Sequence, residues 1–246
     1  MTAFALQRPA LFALLAGCLI AAPAFAETVK GNGVIRTQVR QASGFTGVGL
    51  GIRAKVEVKV GATEGVTVEA DENLLPLIET TVHRGELQIK AARFNLNLDS
   101  KQIRIVVQAK QIDQLDIGGS GSIVIDAVKG RSLALEIGGS GTIDVKRADV
   151  EKVSVDIGGS GDVKVAGAAR RLNINIAGSG DTDARALLVD DVDINIAGAG
   201  DAVVAARTSI KVLVAGSGDV QYLGDPSIRQ TVLGSGRVKR IGPMPQ

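Results

Sequence analysis

The stretch Leu115–Asp126, LDIGGSGSIVID, returns as LEIGGSGTIDV at 135–145 and as VDIGGSGDVKV at 155–165. Each time a Gly-Ser-Gly core stands between two runs of alternating apolar residues. The cores begin at Gly119, Gly139, Gly159, Gly178, Gly198, Gly216 and Gly234, with spacings of 20, 20, 19, 20, 18 and 18 residues. In the fifth copy Ala199 replaces the serine. Self-similarity at a fixed short period marks a serial architecture in which each unit buries its apolar face against its neighbours.

Parity says which way the residues point. Leu115, Ile117, Gly119, Gly121, Ile123 and Ile125 share one parity, and Asp116, Gly118, Ser120 and Ser122 hold the other. Period-two alternation belongs to strands with one buried face. The paired glycines therefore read as turn residues on the inward line: Gly119 and Gly121, Gly139 and Gly141, Gly159 and Gly161, Gly178 and Gly180, Gly198 and Gly200, Gly216 and Gly218, Gly234 and Gly236. Without a Cβ they let the chain bend sharply and leave the serine outside. A unit of this length holds two short strands and a return, which suits one coil of a β-solenoid.

The expected fold is all-β: a β-solenoid of about seven 18–20-residue GSG coils with an irregular β-rich N-terminal part. Coils would stack at roughly 4.8 Å. Ile117, Ile137, Ile157, Ile176, Ile196 and Val214 would form an internal aliphatic ladder. Ser120, Ser140, Ser160, Ser179, Ser217 and Ser235 would form an external one. The rival is an antiparallel meander or sandwich with GSG at each hairpin turn.

Composition fits a thin core. The chain of 246 residues has 45% apolar residues but five Phe, one Tyr and no Trp, so Val, Ile, Leu and Ala must fill the interior. The net charge of +2 is spread without a basic block or interleaved aromatics, which argues against nucleic acid as a partner.

Residues 1–26 read as a signal peptide: Arg8, an apolar run, then Ala24-Phe25-Ala26 before Glu27. The run is too short for a comfortable membrane span. Leu15-Ala16-Gly17-Cys18 resembles a lipoprotein box, so Cys18 is the alternative cleavage and lipidation point. The expected organisation is a signal peptide at 1–26, a β-rich part or cap at 27–110, the repeat at 111–242 and a tail at 243–246. Pro243 and Pro245 cannot donate to a strand ladder. Asp71–Ile78, DENLLPLI, reads as a loop or helical turn.

Phe45-Thr46-Gly47-Val48, the run AKVEVKVGATEGVTVEADENLLPLIETTVHRGELQIK at 54–90 and the IGGSGD-type repeats together resemble the family called putative auto-transporter adhesin, head GIN domain. The resemblance covers about residues 45–235. It implies a secreted bacterial β-solenoid, often lipid-anchored, and brings no catalytic or binding residues with it.

Candidate chemistries are few. A nucleophile elbow needs G-x-S-x-G and a triad needs a histidine base. The serines here sit in G-S-G, and the one histidine, His83, reads as a surface residue. Phosphate loops need a strand-to-helix context that the repeat lacks. Asp162, Asp181, Asp201 and Asp219 follow the GSG cores and are candidate calcium ligands, though one carboxylate per coil is thin for an ion wanting six to eight oxygens. The competing role is to accept backbone N–H bonds. Asp116, Glu136, Asp156, Asn175 and Asn195 form a second outer ladder, a solvated face or a surface for cations and cationic partners. The expectation is no enzyme, no catalytic residue, no cofactor and no transmembrane segment in the mature chain. It is an exported envelope protein of the periplasm or cell surface with an adhesin-like role towards an unidentified macromolecule. A periplasmic scaffold or envelope-stress protein is the alternative, and a polysaccharide-processing enzyme on a β-helix the third.

Overall fold

The computed structural model describes residues 27–100 and 102–245. The expected signal peptide and Cys18 lie outside the described residues.

Every repeat strand pairs with its neighbours in parallel, in register, one period away. This is a β-solenoid. A meander would have given antiparallel neighbours. The seven GSG corners delimit about six turns. Each turn has three inward runs. In the strand Thr142–Ile157 they are Ile143 and Val145, then Ala148 and Val150, then Val153, Val155 and Ile157, all buried. Between the first two runs the register shifts, which lets the strand turn a corner without ending. The aliphatic ladder runs as expected, Ile117 over Ile137, Ile157, Ile176, Ile196 and Val214, and ends on Val232. Phe45 is the only aromatic side chain fully buried among the described residues.

The N-terminal half adds two more coils, in an order that the chain does not follow. Gly47–Leu50 and Lys55–Val60 lie against Gln114–Ile117 and Ser122–Ile125. On their other side lie Glu86–Ala91 and Arg104–Ala109, which are later in sequence. An earlier stretch is thus sandwiched between two later ones. Antiparallel strands close this end: Gly65–Asp71 on Arg104–Ala109, Ile35–Arg40 on Gly65–Asp71, and Ile78–His83 on Glu86–Ala91. The stretch 71–78 contains a short 3-10 turn at Leu75–Leu77. A parallel pair, Glu27–Lys30 with Leu96–Asp99, lies outside the main sheet.

The far end is blunted by side chains. Gln230 falls in register with Val212, and Arg240 with Tyr222, so polar groups take inward positions in the last coil. Arg240 Nε donates to the Gly224 carbonyl at 2.6 Å. Polar inward residues and terminal prolines discourage further strand addition.

Candidate functional site

The corner sequence G-G-S-G resolves into three rows with different physical demands. At Gly121, Gly141 and Gly161 a Cβ would run into the ladder isoleucine or leucine of the preceding coil and into a backbone oxygen, such as Gly141 O at 2.6 Å from a Cβ on Gly161. This row faces the core. At Gly139, Gly159, Gly178 and their successors a Cβ would collide with the carbonyl of the glycine one coil earlier. Parity puts this row on the inward line; in the structure it is half-buried and faces along the axis. From the fourth coil onward these glycines also have φ of +139 to +147°, which a side chain rarely tolerates. The serine N–H of each corner donates to the glycine carbonyl of the previous one, as Ser140 does to Gly119 at 3.0 Å, and the serines stay exposed.

The third row is different. Gly118 and Gly138 have open space where a Cβ would stand and no positive φ. The row continues as Gly158, Ala177, Ala197 and Ala215. At Gly118 and Gly138 nothing in the backbone asks for a small residue, yet six consecutive coils carry one at this position. They form the floor of a groove of about 730 Å³ that runs along the solenoid axis.

One wall of the groove is the outer ladder. Asp116, Glu136, Asp156, Asn175 and Asn195 stand in strict register, followed by Leu213. A smaller concavity of about 220 Å³ continues past Asp116 to Glu86. Gly49 leaves room there, since a Cβ would fall on the Glu86 carboxylate. Among the described residues, no ion pair within 4.0 Å involves Glu86, Asp116, Glu136 or Asp156. Half-burial, then the neighbouring Glu136 and Glu86 charges, push the Asp116 carboxyl up to about 6, against a hydrogen bond from Gln114 Nε2 at 2.7 Å that lowers it. Beyond Asp156 the wall turns neutral. Asn175 Nδ2 donates to Asp156 Oδ1 at 2.8 Å, and Asn195 Nδ2 to Asn175 Oδ1 at 3.1 Å. The groove therefore grades from carboxylates through amides to an apolar end.

The residues match, over 44–226, the model of the family described as "putative auto-transporter adhesin, head GIN domain". The chain belongs to this family. No curated protein matches it. Several solved structures share the architecture. A protein from Parabacteroides distasonis, described as a putative lipid binding protein, is 26% identical with a TM-score of 0.74. The match covers 87% of this chain and 100% of that one. A putative adhesin from Bacteroides fragilis is 22% identical with a TM-score of 0.82, over 87% and 100% of the two chains. Another, from Parabacteroides merdae, is 21% identical with a TM-score of 0.68, over 88% and 100%. The last two likenesses speak to the fold alone.

In this head GIN domain the four calcium candidates fall outside the groove, just beyond the corners. Asp201 N–H donates to Asp181 Oδ1 at 2.9 Å, Asp219 N–H to Asp201 Oδ1 at 2.7 Å, and Arg237 N–H to Asp219 Oδ1 at 2.9 Å. Each of these three carboxylates ties its own coil to the next, while Asp162 lies in register with Asp181. Among the described residues, no group of three or more His, Cys, Asp or Glu side chains is placed to hold a metal ion. His83 ends an exposed hairpin strand opposite Glu86. No helix among the described residues is long and apolar enough to cross a membrane.

Proposed function

We propose that this protein is an exported, non-enzymatic interaction protein of the bacterial envelope, and that its partner-binding surface is the axial groove. The observation that carries the reading is the floor row. Small residues persist through Gly118, Gly138, Gly158, Ala177, Ala197 and Ala215, although the backbone at the first two leaves room for a side chain. A solenoid offers such an extended face for binding other molecules. The family is described as a "putative auto-transporter adhesin" and the Parabacteroides distasonis relative as a "putative lipid binding protein", and both descriptions are of binding rather than of catalysis. Asp116, Glu136 and Asp156 occupy one register position in successive coils, and such repetition along the axis suits an extended recognition face.

Three measurements test this. Protease digestion of intact host cells against lysed cells reads exposure: cleavage on intact cells supports an adhesin-like surface role, and protection until lysis moves the protein to the periplasmic side. A double variant, Gly118→Leu with Gly138→Leu, fills the floor at two positions where a side chain has space. It should stay folded and lose partner binding. A lyase or hydrolase activity lost on replacing Asp116, Glu136 and Asp156 by Ala would overturn the non-enzymatic reading.

A further inference from the structure

Resting on the groove reading, we infer that the groove binds an extended peptide segment of another protein that carries lysine or arginine side chains. Three features, each of different chemistry, point to this occupant. The carboxylate end, Glu86 through Asp156, makes no ion pair within 4.0 Å among the described residues, since Lys90, which lines the groove beside Glu86, pairs with Glu79 at 4.0 Å, and stacked like charges repel unless a cation lies among them. The amide section reads a backbone. A side-chain amide offers two N–H donors and a carbonyl with two lone pairs. Asn175 spends one N–H on Asp156 and one lone pair on Asn195, which leaves a donor and an acceptor for a peptide group. The Gly and Ala floor lets a main chain approach closely while excluding nothing but bulk.

The dimensions agree. Five coil steps separate Asp116 from Leu213 in the ladder. At roughly 4.8 Å per step that is about 24 Å, the span of about seven extended residues. Basic side chains of the bound segment would lie over the Asp116–Asp156 end, and its uncharged residues over the Asn195–Leu213 end.

The test uses a fluorescein-labelled heptapeptide of alternating Lys and Ala, with blocked termini, titrated by anisotropy into the purified protein at low and at physiological salt. The same peptide with Glu for Lys, and hexadecylamine as a competing cationic amphiphile, are the comparison probes. The Lys peptide should bind, with salt weakening it, and the Glu peptide should not. Asp116→Asn with Glu136→Gln should weaken binding about tenfold, the product of two solvent-reached charge contacts, one half-buried and one exposed. Asp126→Asn with Asp149→Asn changes the net charge equally at exposed sites outside the groove and should leave affinity unchanged. Gly118→Leu with Gly138→Leu should abolish it. Equal losses from both acid pairs, no binding of the Lys peptide, or hexadecylamine binding the groove more tightly than the peptide would each overturn the inference. The floor variant on whole partner-bearing cells separates the two levels. If it loses cell binding while the Lys peptide never binds, the groove reading stands and the cationic-peptide inference falls.

Discussion

At the scale of single residues, the corner shows that glycines in one motif answer to different forces. Gly161→Ala places a methyl 2.6 Å from Gly141 O and against Ile137, with backbone on one side that cannot move away. Such overpacking should cost about 2–3 kcal/mol. Gly138→Ala meets nothing and needs no unusual φ, so it should be neutral or stabilise by about 0.5 kcal/mol through the unfolded chain. Urea melts of the pair check this, and equal effects would remove the distinction between the rows. Asp116 is a second single-residue case. Its carboxyl is held up to about 6 in the folded protein by burial and by Glu136 and Glu86. The folded state therefore holds a proton that the unfolded state releases nearer pH 4, and stability falls as pH rises across that interval. Asp116→Asn removes the effect. It should match the native protein below about pH 4 and exceed it above about pH 6, by about 1 kcal/mol after allowance for the half-exposed site. A stability difference that does not change with pH would refute it.

At the scale of elements, neighbouring coils are held by ladders whose ends have distinct chemistry. Asp219 joins the last full corner to the final coil: Arg237 donates both its backbone N–H and, at 2.8 Å, a guanidinium N–H to it. These bonds hold the carboxyl below its ordinary range. The contribution is present above that range and is lost as pH falls through the lowered folded value. Asp219→Asn should speed amide exchange in Ser227–Gly234 and Val238–Gly242 at neutral pH, and the difference from the native protein should vanish in acid. The same scale shows what the sequence carried plainly and what it hid. Parity and period disclose the strands from Gln114 onward, because every corner after the first stacks on another glycine corner that admits no Cβ. The coil at Gly47–Val60 turns through Gly51-Ile52-Arg53-Ala54, and the strands it lies on, Glu86–Ala91 and Arg104–Ala109, are joined by a sequence without glycine. Even Gly119, stacked on this irregular corner, is under ordinary contact, with Gly51 O at 3.5 Å. Without that collision the GSG signature is not required, so the motif is missing where the fold still continues. The out-of-order stacking was invisible for a second reason: alternation marks a strand but not its neighbour. The outer ladder of the groove was legible from spacing. The floor was not, because outward parity puts Gly118 on a face without showing that its counterparts in successive coils line a groove.

At the scale of the whole molecule, a solenoid is close to one-dimensional, each coil touching only the coils beside it. Its stability should then be a sum of similar units between two unlike ends. Deleting residues 139–158 removes one period and rejoins Gly138 to Gly159, which restores an intact G-G-S-G corner with the same strands above and below. The shortened protein should fold, keep its β-sheet circular dichroism, and lose part of its urea m-value in proportion to the surface removed. It should also shorten the groove by one carboxylate. Deleting residues 27–43 is a different operation, although fewer residues are lost. It strips Ile35–Arg40 from Gly65–Asp71 and removes Arg40, whose guanidinium donates to the Leu75 and Ile78 carbonyls at the turn that closes this end. The freed strand edge is a template for pairing with other chains. The expected outcome is a folded but self-associating protein, seen as a rising apparent mass in light scattering with concentration, while the coil-deleted variant stays at the size of its own chain. If instead the coil deletion unfolds the molecule and the cap deletion is tolerated, cohesion is carried by the repeat as one cooperative block and the ends do not govern association.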